Sequence, residues 1–360
     1  MKILQIIPAF DMGGAEIMCE TLSNCLKSIG HEVMVVSLYN KETVITERLK
    51  KKGLKVIFLN KKKGFDLACI KNLRQVINNY GPDVIHTHLY SVKYAILATI
   101  FSRKAIIHTI HNVAEKETGY IDRRFNEIFY RTGKVIPVAL SDLVRLTVEK
   151  EYKLNSVHVI LNGVNLSSCI PKEDYDICQD FQIINIARFS EQKNHHRLIA
   201  AFEMLEKEYK NVKLILIGDG ELKEEIVKEV NNSSVCNKVT FLGLQKDVYP
   251  FLNNSDCFAL SSDFEGIPMT VIEAMGTGLP IVSTKVGGLA DMIRNDENGM
   301  LTELTPKGLC DAFKELIVDK GKRQRLGENA RISAFDYSVE IMAEKYVHLY
   351  EDSYEKQLEY

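Results

Sequence analysis

The sequence predicts an α/β protein built as two doubly wound domains, each a parallel sheet with helices on both faces. Three observations carry this. Short apolar runs alternate with helix-patterned stretches along the chain, and such alternation places strands in a parallel sheet that the helices cover. The alternation pauses in one turn-rich segment, residues 162–181, and then starts afresh. The chain has 360 residues, more than a single core of this kind ordinarily holds.

In order, "KILQII" (2–7) is the first strand, and a helix follows from about Ala15. The runs "EVMVVS" (32–37), "KVIFL" (55–59), "DVIHTH" (83–88), "AIIHTI" (105–110) and "VIPVAL" (135–140) continue the first domain. The seam "NGVNLSSCIPKEDYDICQD" has turn formers, a proline and clustered acids without a period. The second series is "QIINIA" (182–187), "VKLILIG" (212–218), "KVTFLG" (238–243), "DCFALS" (256–261) and "PIVST" (280–284). The last stretch reads as one amphipathic helix, with Ile341, Tyr346 and Leu349 at helical spacing. The expected domains are 1–165 and 166–338, with 339–360 as the closing helix.

Composition narrows the classes. No apolar run reaches the length of a membrane span; the longest, "YAILATIF" (94–101), is bounded by Lys93 and by Arg103-Lys104. Met1-Lys2 leads into an apolar strand without a secretory pattern, and the eight cysteines show neither CxxC nor metal-ligand spacing. A reduced, cytoplasmic protein is expected. The net charge of −2 hides an asymmetry: residues 1–150 carry +9 and residues 151–360 carry −11. Most of the excess lies in residues 41–80, with 11 basic and 3 acidic residues. The basic region 50–63 is expected to face an anionic membrane surface, with no nucleic-acid partner.

Ligands of doubly wound sheets bind outside the carboxyl ends of the strands, so polar residues there carry the functional reading. Gly13 and Gly14 follow the first strand and open a helix, where backbone approaches a ligand and the helix end favours an anion. The pattern is not GxGxxG. Arg188 and Lys193, five residues apart after the first strand of the second half, form a cation pair suited to a diphosphate. Gly218 follows the next strand. In "SSDFEGIPMTVIEAMGTGLP" (261–280), Glu265 and Gly266 occupy a loop, Ile267 and Pro268 lead into the first helical turn, and free N–H groups at Met269 and Thr270 would face an anion. Glu273 lies about one turn further on. A carboxylate, a phosphate cradle and a second carboxylate match the sugar, diphosphate and ribose of a sugar nucleotide.

These segments resemble the retaining nucleotide-sugar glycosyltransferases of family 4, which have the GT-B fold. The resemblance rests on E-x7-E from Glu265 to Glu273 within "FEGIPMTVIEAMGTGLPIVSTKVGG", on "NIARFSEQKNHHRLIAAF", on "GGAE" and on "NGV". It covers nearly the whole chain, is most specific from 183 to 300, and is loose at 40–80 and 113–155, where the family's acceptors bind. It implies that two Rossmann-like domains face a cleft, with the terminal helix packing back on the first. Arg188 and Lys193 would neutralise the leaving diphosphate, Glu265 would bind donor sugar hydroxyls and Glu273 the ribose. Gly266 to Thr270 would supply backbone donors, and Gly13-Gly14 would close over the diphosphate. His111, after "IIHTI", matches the family's histidine near the reacting sugar, with His88 as a second candidate. His86 and His108 are expected inside the sheet, and His195-His196 on the surface.

The expected reaction moves a hexose or N-acetylhexosamine from a nucleotide sugar to a saccharide acceptor, lipid-linked, in surface-polysaccharide synthesis. UDP is the first expectation for the nucleotide and GDP the second. No metal or other cofactor is expected: the single Asp-x-Asp, Asp174-Tyr175-Asp176, falls in the seam rather than after a strand. The competing readings are a sugar-nucleotide epimerase of the same shape, a glycosidase using two carboxylates, and a two-lobed binding protein. A glycosidase has no use for the Arg188/Lys193 pair.

Overall fold

The computed structural model describes residues 1–11, 13–177 and 179–358. The chain divides into two compact units, Met1–Gly163 with Val339–Tyr360, and Val164–Ser338. The terminal segment therefore belongs to the first unit.

The first unit holds strands β1 (Lys2–Ile7), β2 (Glu32–Ser37), β3 (Lys55–Phe58), β4 (Val84–His88), β5 (Ile106–Ile110), β6 (Val135–Ala139) and β7 (His158–Val159). All pair in parallel in the order β3-β2-β1-β4-β5-β6-β7. The second unit holds β8 (Phe181–Ile186), β9 (Val212–Ile217), β10 (Val239–Gly243), β11 (Cys257–Leu260), β12 (Ile281–Thr284) and β13 (Met300–Thr302). They are parallel in the order β10-β9-β8-β11-β12-β13. The strands are near-continuous apolar runs because helices cover both faces. The short strand β13 escaped the sequence reading: it has only three residues.

Both sheets reverse their strand order once, between β1 and β4 and between β8 and β11. A crevice opens at such a point beyond the strand ends, which is where ligands of this architecture bind.

The terminal helix Val339–Leu358 forms as expected, and of the three residues singled out Tyr346 and Leu349 are buried. Met342, Ala343, Tyr346, Leu349 and Tyr350 face the core, whereas Ile341 is only half-buried. The i, i+1, i+4, i+7, i+8 pattern covers a wider face than the three residues first singled out. Among its described residues before β8, the seam has regular structure only at the short turn Leu166–Ser168, yet Tyr175 within it is buried and donates to Gly278 O at 2.9 Å. Asp176 pairs with Lys320 at 2.7 Å. The seven described cysteines are free, and Cys178 lies outside the described residues. No helix among the described residues is long and apolar enough to cross a membrane.

Candidate active site

In the second unit, the loop after β8 is stitched to the loop after β11. Asp263 N donates to Gln192 O at 2.8 Å, and Ser261 Oγ donates to Asn194 O at 2.9 Å. Arg197 reaches Asp263 Oδ1 at 2.7 Å and Ser261 O at 2.7 Å. Asn194, at φ +46°, caps the helix His195–Glu208 with its own side chain and turns the chain at the strand end.

This stitching brings two of the expected residues together. Lys193 Nζ donates to Glu265 Oε1 at 2.5 Å, and Ser262 Oγ donates to the same oxygen at 2.5 Å. The side chains of Lys193 and Glu265 are 18% and 5% exposed. A buried carboxylate in this position needs a charged partner, and the chain supplies it five residues after Arg188. Sequence reasoning missed Ser262, although a serine at a strand end beside the glutamate was a readable signal. The loop behind Glu265 is packed tightly. A Cβ on Gly287, at φ +45°, would lie 2.0 Å from Glu265 O, and one on Gly288 would lie 2.3 Å from Gly266 O. The second glycine pair thus fixes the height of Glu265-Gly266.

Arg188 is exposed and pairs with Glu221 at 3.1 Å. Together with Gly218 and Thr270 it lines a cavity of about 730 Å³. Leu244, Gln245 and Val248, after β10, form the far side. They carry no charge, which is why sequence reasoning passed over them. Gly218, at φ +145°, is required by close packing against its own unit: a Cβ there would lie 2.0 Å from Ala187 O. Its backbone lines the cavity as a consequence.

The helix Met269–Gly276 starts one residue later than expected, with Pro268 at its N-cap rather than in its first turn. Pro268 is extended, at φ −75° and ψ 121°, so the helix opens at Met269, and Ile267 packs against the core behind. Glu273 lies on this helix. Burial pushes its carboxyl up to about 7. An acid of that kind is a functional candidate on physical grounds.

In the first unit, Gly13 is the N-cap of the helix Gly14–Ser28 and provides no side-chain cap. The Cβ position of Gly14 faces open space. His111, after β5, is half-buried, and its Nε2 lies 3.1 Å from His88 Nδ1. His88 Nε2 in turn meets Gln5 Oε1 at 2.9 Å. The two histidine candidates therefore form one hydrogen-bonded pair. His86 and His108 are buried in the sheet as expected. Burial holds the imidazoles of His86 and His88 well below the usual histidine value, His108 at about 3 and His111 at about 4. Glu117 was also missed: burial pushes it up to about 7, and its Oε1 has no partner among the described residues.

Two expectations are corrected. His195 is 2% exposed and stacks on Phe189 with centroids 4.2 Å apart, so only His196 is on the surface. Its place directly after the Asn194 cap turns it inward. The basic region 50–63 is not a row of free cations either. Lys61 is 8% exposed and donates to Tyr39, Lys62 O and Gly64 O, and Lys50 pairs with Glu42. Lys51, Lys52, Lys55, Lys62 and Lys63 remain exposed. Among the described residues no group of three His, Cys, Asp or Glu side chains is arranged to hold a metal ion.

Known proteins match both halves. Residues 12–168 match the model "Glycosyltransferase Family 4", and residues 174–333 match "Glycosyl transferases group 1". An uncharacterized glycosyltransferase of Methanocaldococcus jannaschii is 30% identical over 58% of this chain and 57% of its own length. The N-acetyl-alpha-D-glucosaminyl L-malate synthase of Bacillus anthracis is 28% identical over 81% of this chain and 79% of its own. A Campylobacter jejuni enzyme, N-acetylgalactosamine-N,N'-diacetylbacillosaminyl-diphospho-undecaprenol 4-alpha-N-acetylgalactosaminyltransferase, is 24% identical over 73% of this chain and 75% of its own. Among solved structures, a Rickettsia africae glycosyltransferase superposes with TM-score 0.83 at 21% identity, covering 98% of both chains. The Anabaena protein HepE in complex with UDP does so with TM-score 0.82 at 20% identity, covering 98% of this chain and 100% of that one. With both sheets, both switch points and both family models in agreement, the chain belongs to the family 4 type of glycosyltransferases with the GT-B fold, related to bacterial polysaccharide and lipid-linked sugar transferases.

Proposed function

We propose that this glycosyltransferase moves a hexose or N-acetylhexosamine from a UDP-linked donor to a lipid-linked saccharide, with retention at the anomeric carbon and without a metal ion. The observation that carries the reading is the β8–β11 switch point. There Arg188 borders a cavity large enough for a nucleoside, and in the loops after the same two strands Lys193 and Glu265 are held face to face. The nucleoside occupies the cavity lined by Gly218, Thr270 and Gln245. Glu273 takes the ribose hydroxyls. Backbone N–H groups from Gly266 to Thr270, with Arg188 and Lys193, meet the diphosphate. Glu265 takes hydroxyls of the donor sugar. In the first unit, His111 is the group suited to a substrate hydroxyl.

In the reaction the bond between the anomeric carbon and the phosphate oxygen breaks, and its electron pair stays on the diphosphate. The acceptor oxygen forms the new bond on the same face, and its proton leaves with the phosphate. Fixed cations beside the developing charge lower this barrier, which removes the need for a metal. UDP in the HepE complex and the diphospho-undecaprenol acceptor in the name of the Campylobacter relative support the choice of nucleotide and acceptor. Such an acceptor sits at the cytoplasmic leaflet, and the five exposed lysines between 51 and 63 suit a peripheral contact with its anionic lipid. The test is a screen of purified protein against UDP- and GDP-sugars with polyprenyl-diphosphate saccharides, run with and without EDTA. Product with the anomeric configuration of the donor, from a UDP-sugar and in EDTA, is expected. Inverted product, or activity abolished by EDTA and restored by magnesium, refutes the mechanism.

A further inference from the structure

We infer that Gln5 and His88 are positioning residues that hold His111 in a single neutral tautomer, with Nδ1 bare and offered as an acceptor to a substrate hydroxyl. The inference rests on the reading above that His111 meets a substrate hydroxyl.

The three residues come from neighbouring elements: Gln5 from β1, His88 from the end of β4 and His111 from just beyond β5. Gln5 and His88 are fully buried, so water does not compete for their hydrogen bonds. An amide oxygen can only accept. With Gln5 Oε1 at 2.9 Å, His88 carries its proton on Nε2. A neutral imidazole has one N–H, so His88 Nδ1 is a lone pair. His111 Nε2, at 3.1 Å from that lone pair, must be the donor. The proton of His111 is thereby committed, and Nδ1 is its only free nitrogen. Burial keeps both rings neutral, as their depressed values show.

The relay is braced from behind. His86 lies on the same face of β4 two residues away, and its ring sits 4.4 Å from that of His88. His86 is itself fixed by the Tyr350 hydroxyl and by Thr109 Oγ1, each at 2.7 Å. Thr109 also meets the Tyr346 hydroxyl at 2.7 Å. The two tyrosines belong to the terminal helix, which gives that helix a chemical role beyond packing.

A bare Nδ1 accepts a hydrogen bond from a hydroxyl. It offers nothing to a carboxylate, whereas an imidazolium would attract one. The site should therefore prefer a sugar with a hydroxyl at that position over the corresponding uronic acid.

The test is histidine 15N NMR on the full-length protein, with His111→Gln to assign the resonance. Across neutral pH, wild type is expected to show His111 with Nδ1 in the unprotonated range and Nε2 protonated. Gln5→Met should move His111 to a tautomer average and lower kcat about tenfold, the worth of one hydrogen bond, with UDP affinity kept. Gln5→Glu retains an acceptor facing His88 and should recover most of that loss. A wild-type spectrum with Nδ1 protonated, as a reversed Gln5 amide would produce, overturns the inference. So does a Gln5→Met variant whose spectrum and kcat match wild type. A failure of the transfer reading is seen separately, as wild type that turns over no sugar nucleotide, while the spectrum still decides the tautomer.

Discussion

The two switch points are built from opposite chemistry. At β8–β11 the strand ends carry formal charge: Arg188, Lys193 and Glu265, the last two a partly buried pair. At β1–β4 the groups are neutral and hydrogen-bonding: Gln5 within β1, His88 at the end of β4 and, beyond β5, His111. Both sheets share the same strand order around the switch point, so the fold does not dictate the difference. A preformed set of charges stabilises a departing diphosphate, and a set of neutral donors and acceptors orients hydroxyls without attracting phosphate. Under the proposed function, the leaving group belongs with the charged set and hydroxyl recognition in part with the neutral one.

The largest effect is expected from the charges. Arg188→Ala and Lys193→Ala should each reduce kcat/KM by about 10²–10³ fold, the usual cost of one preorganised electrostatic group. The two should differ in stability. Arg188 is exposed, so its variant should melt like wild type. Lys193→Ala leaves the Glu265 carboxylate buried without its cation and should cost about 3 kcal/mol. Steady-state kinetics alongside thermal melting checks both, and near-normal turnover in folded Arg188→Ala would remove the diphosphate from this site.

Next come the two glutamates. Glu273→Ala should chiefly weaken UDP binding and Glu265→Ala chiefly slow transfer, as read by calorimetry and kcat. Equal loss of UDP affinity in both would erase the division of labour. Glu273 also gives the second unit a pH signature. Its folded value, about 7, lies above the ordinary value of 4.5, so the folded state holds the proton more tightly. Stability from this group therefore falls as pH rises through that window, by about 3 kcal/mol in all. Glu273→Gln should melt above wild type at pH 8 and close to it at pH 5, while binding UDP more weakly at both. Wild-type affinity for UDP should rise through pH 7 as the carboxylate forms.

The first unit should respond in the opposite sense. Its buried histidines have folded values below the unfolded one, so their contribution is present above about 6.5 and is lost as pH falls below it. Hydrogen exchange resolved by segment should show β1, β4 and β5 losing protection first on acidification, ahead of β8 and β11. Simultaneous loss would mean that the histidine cluster does not set the acid limit.

The difference between the units also explains what was legible in the sequence. Alternating apolar runs showed both sheets, because fully covered strands must be apolar throughout. The charged switch point was readable because Arg188, Lys193, Glu265 and Glu273 interrupt apolar surroundings and match a known spacing. The neutral one was only half readable. His111 was found through its place after a strand, but Gln5 sits inside "KILQII" and nothing local marks it as polar machinery. Its partner arrives 83 residues later, and the bracing tyrosines only on the terminal helix. The uncharged wall at Leu244 and Gln245 was likewise hidden, since its role exists only once the loops that line the cavity meet. The lysine run at 50–63 misled in part, because charge in a sequence does not reveal that Lys61 is folded inward over Tyr39 and Tyr94.

The smallest expected effect concerns that run. Co-sedimentation should show salt-sensitive binding to vesicles containing anionic lipid and little to neutral ones. Replacing Lys51, Lys52, Lys55, Lys62 and Lys63 by glutamine should abolish it, whereas Lys61→Gln should lower stability instead. Wild type left in the supernatant with anionic vesicles at low salt would point to a soluble acceptor.

The central claim is that the charged β8–β11 switch point, and not the neutral β1–β4 one, binds the nucleoside diphosphate. Titration calorimetry with UDP on wild type, Arg188→Ala and His111→Ala tests it most directly. The account predicts that UDP affinity collapses in Arg188→Ala and stays close to wild type in His111→Ala, although both variants lose transfer. Equal loss of UDP binding in the two, or full binding in Arg188→Ala, would contradict it.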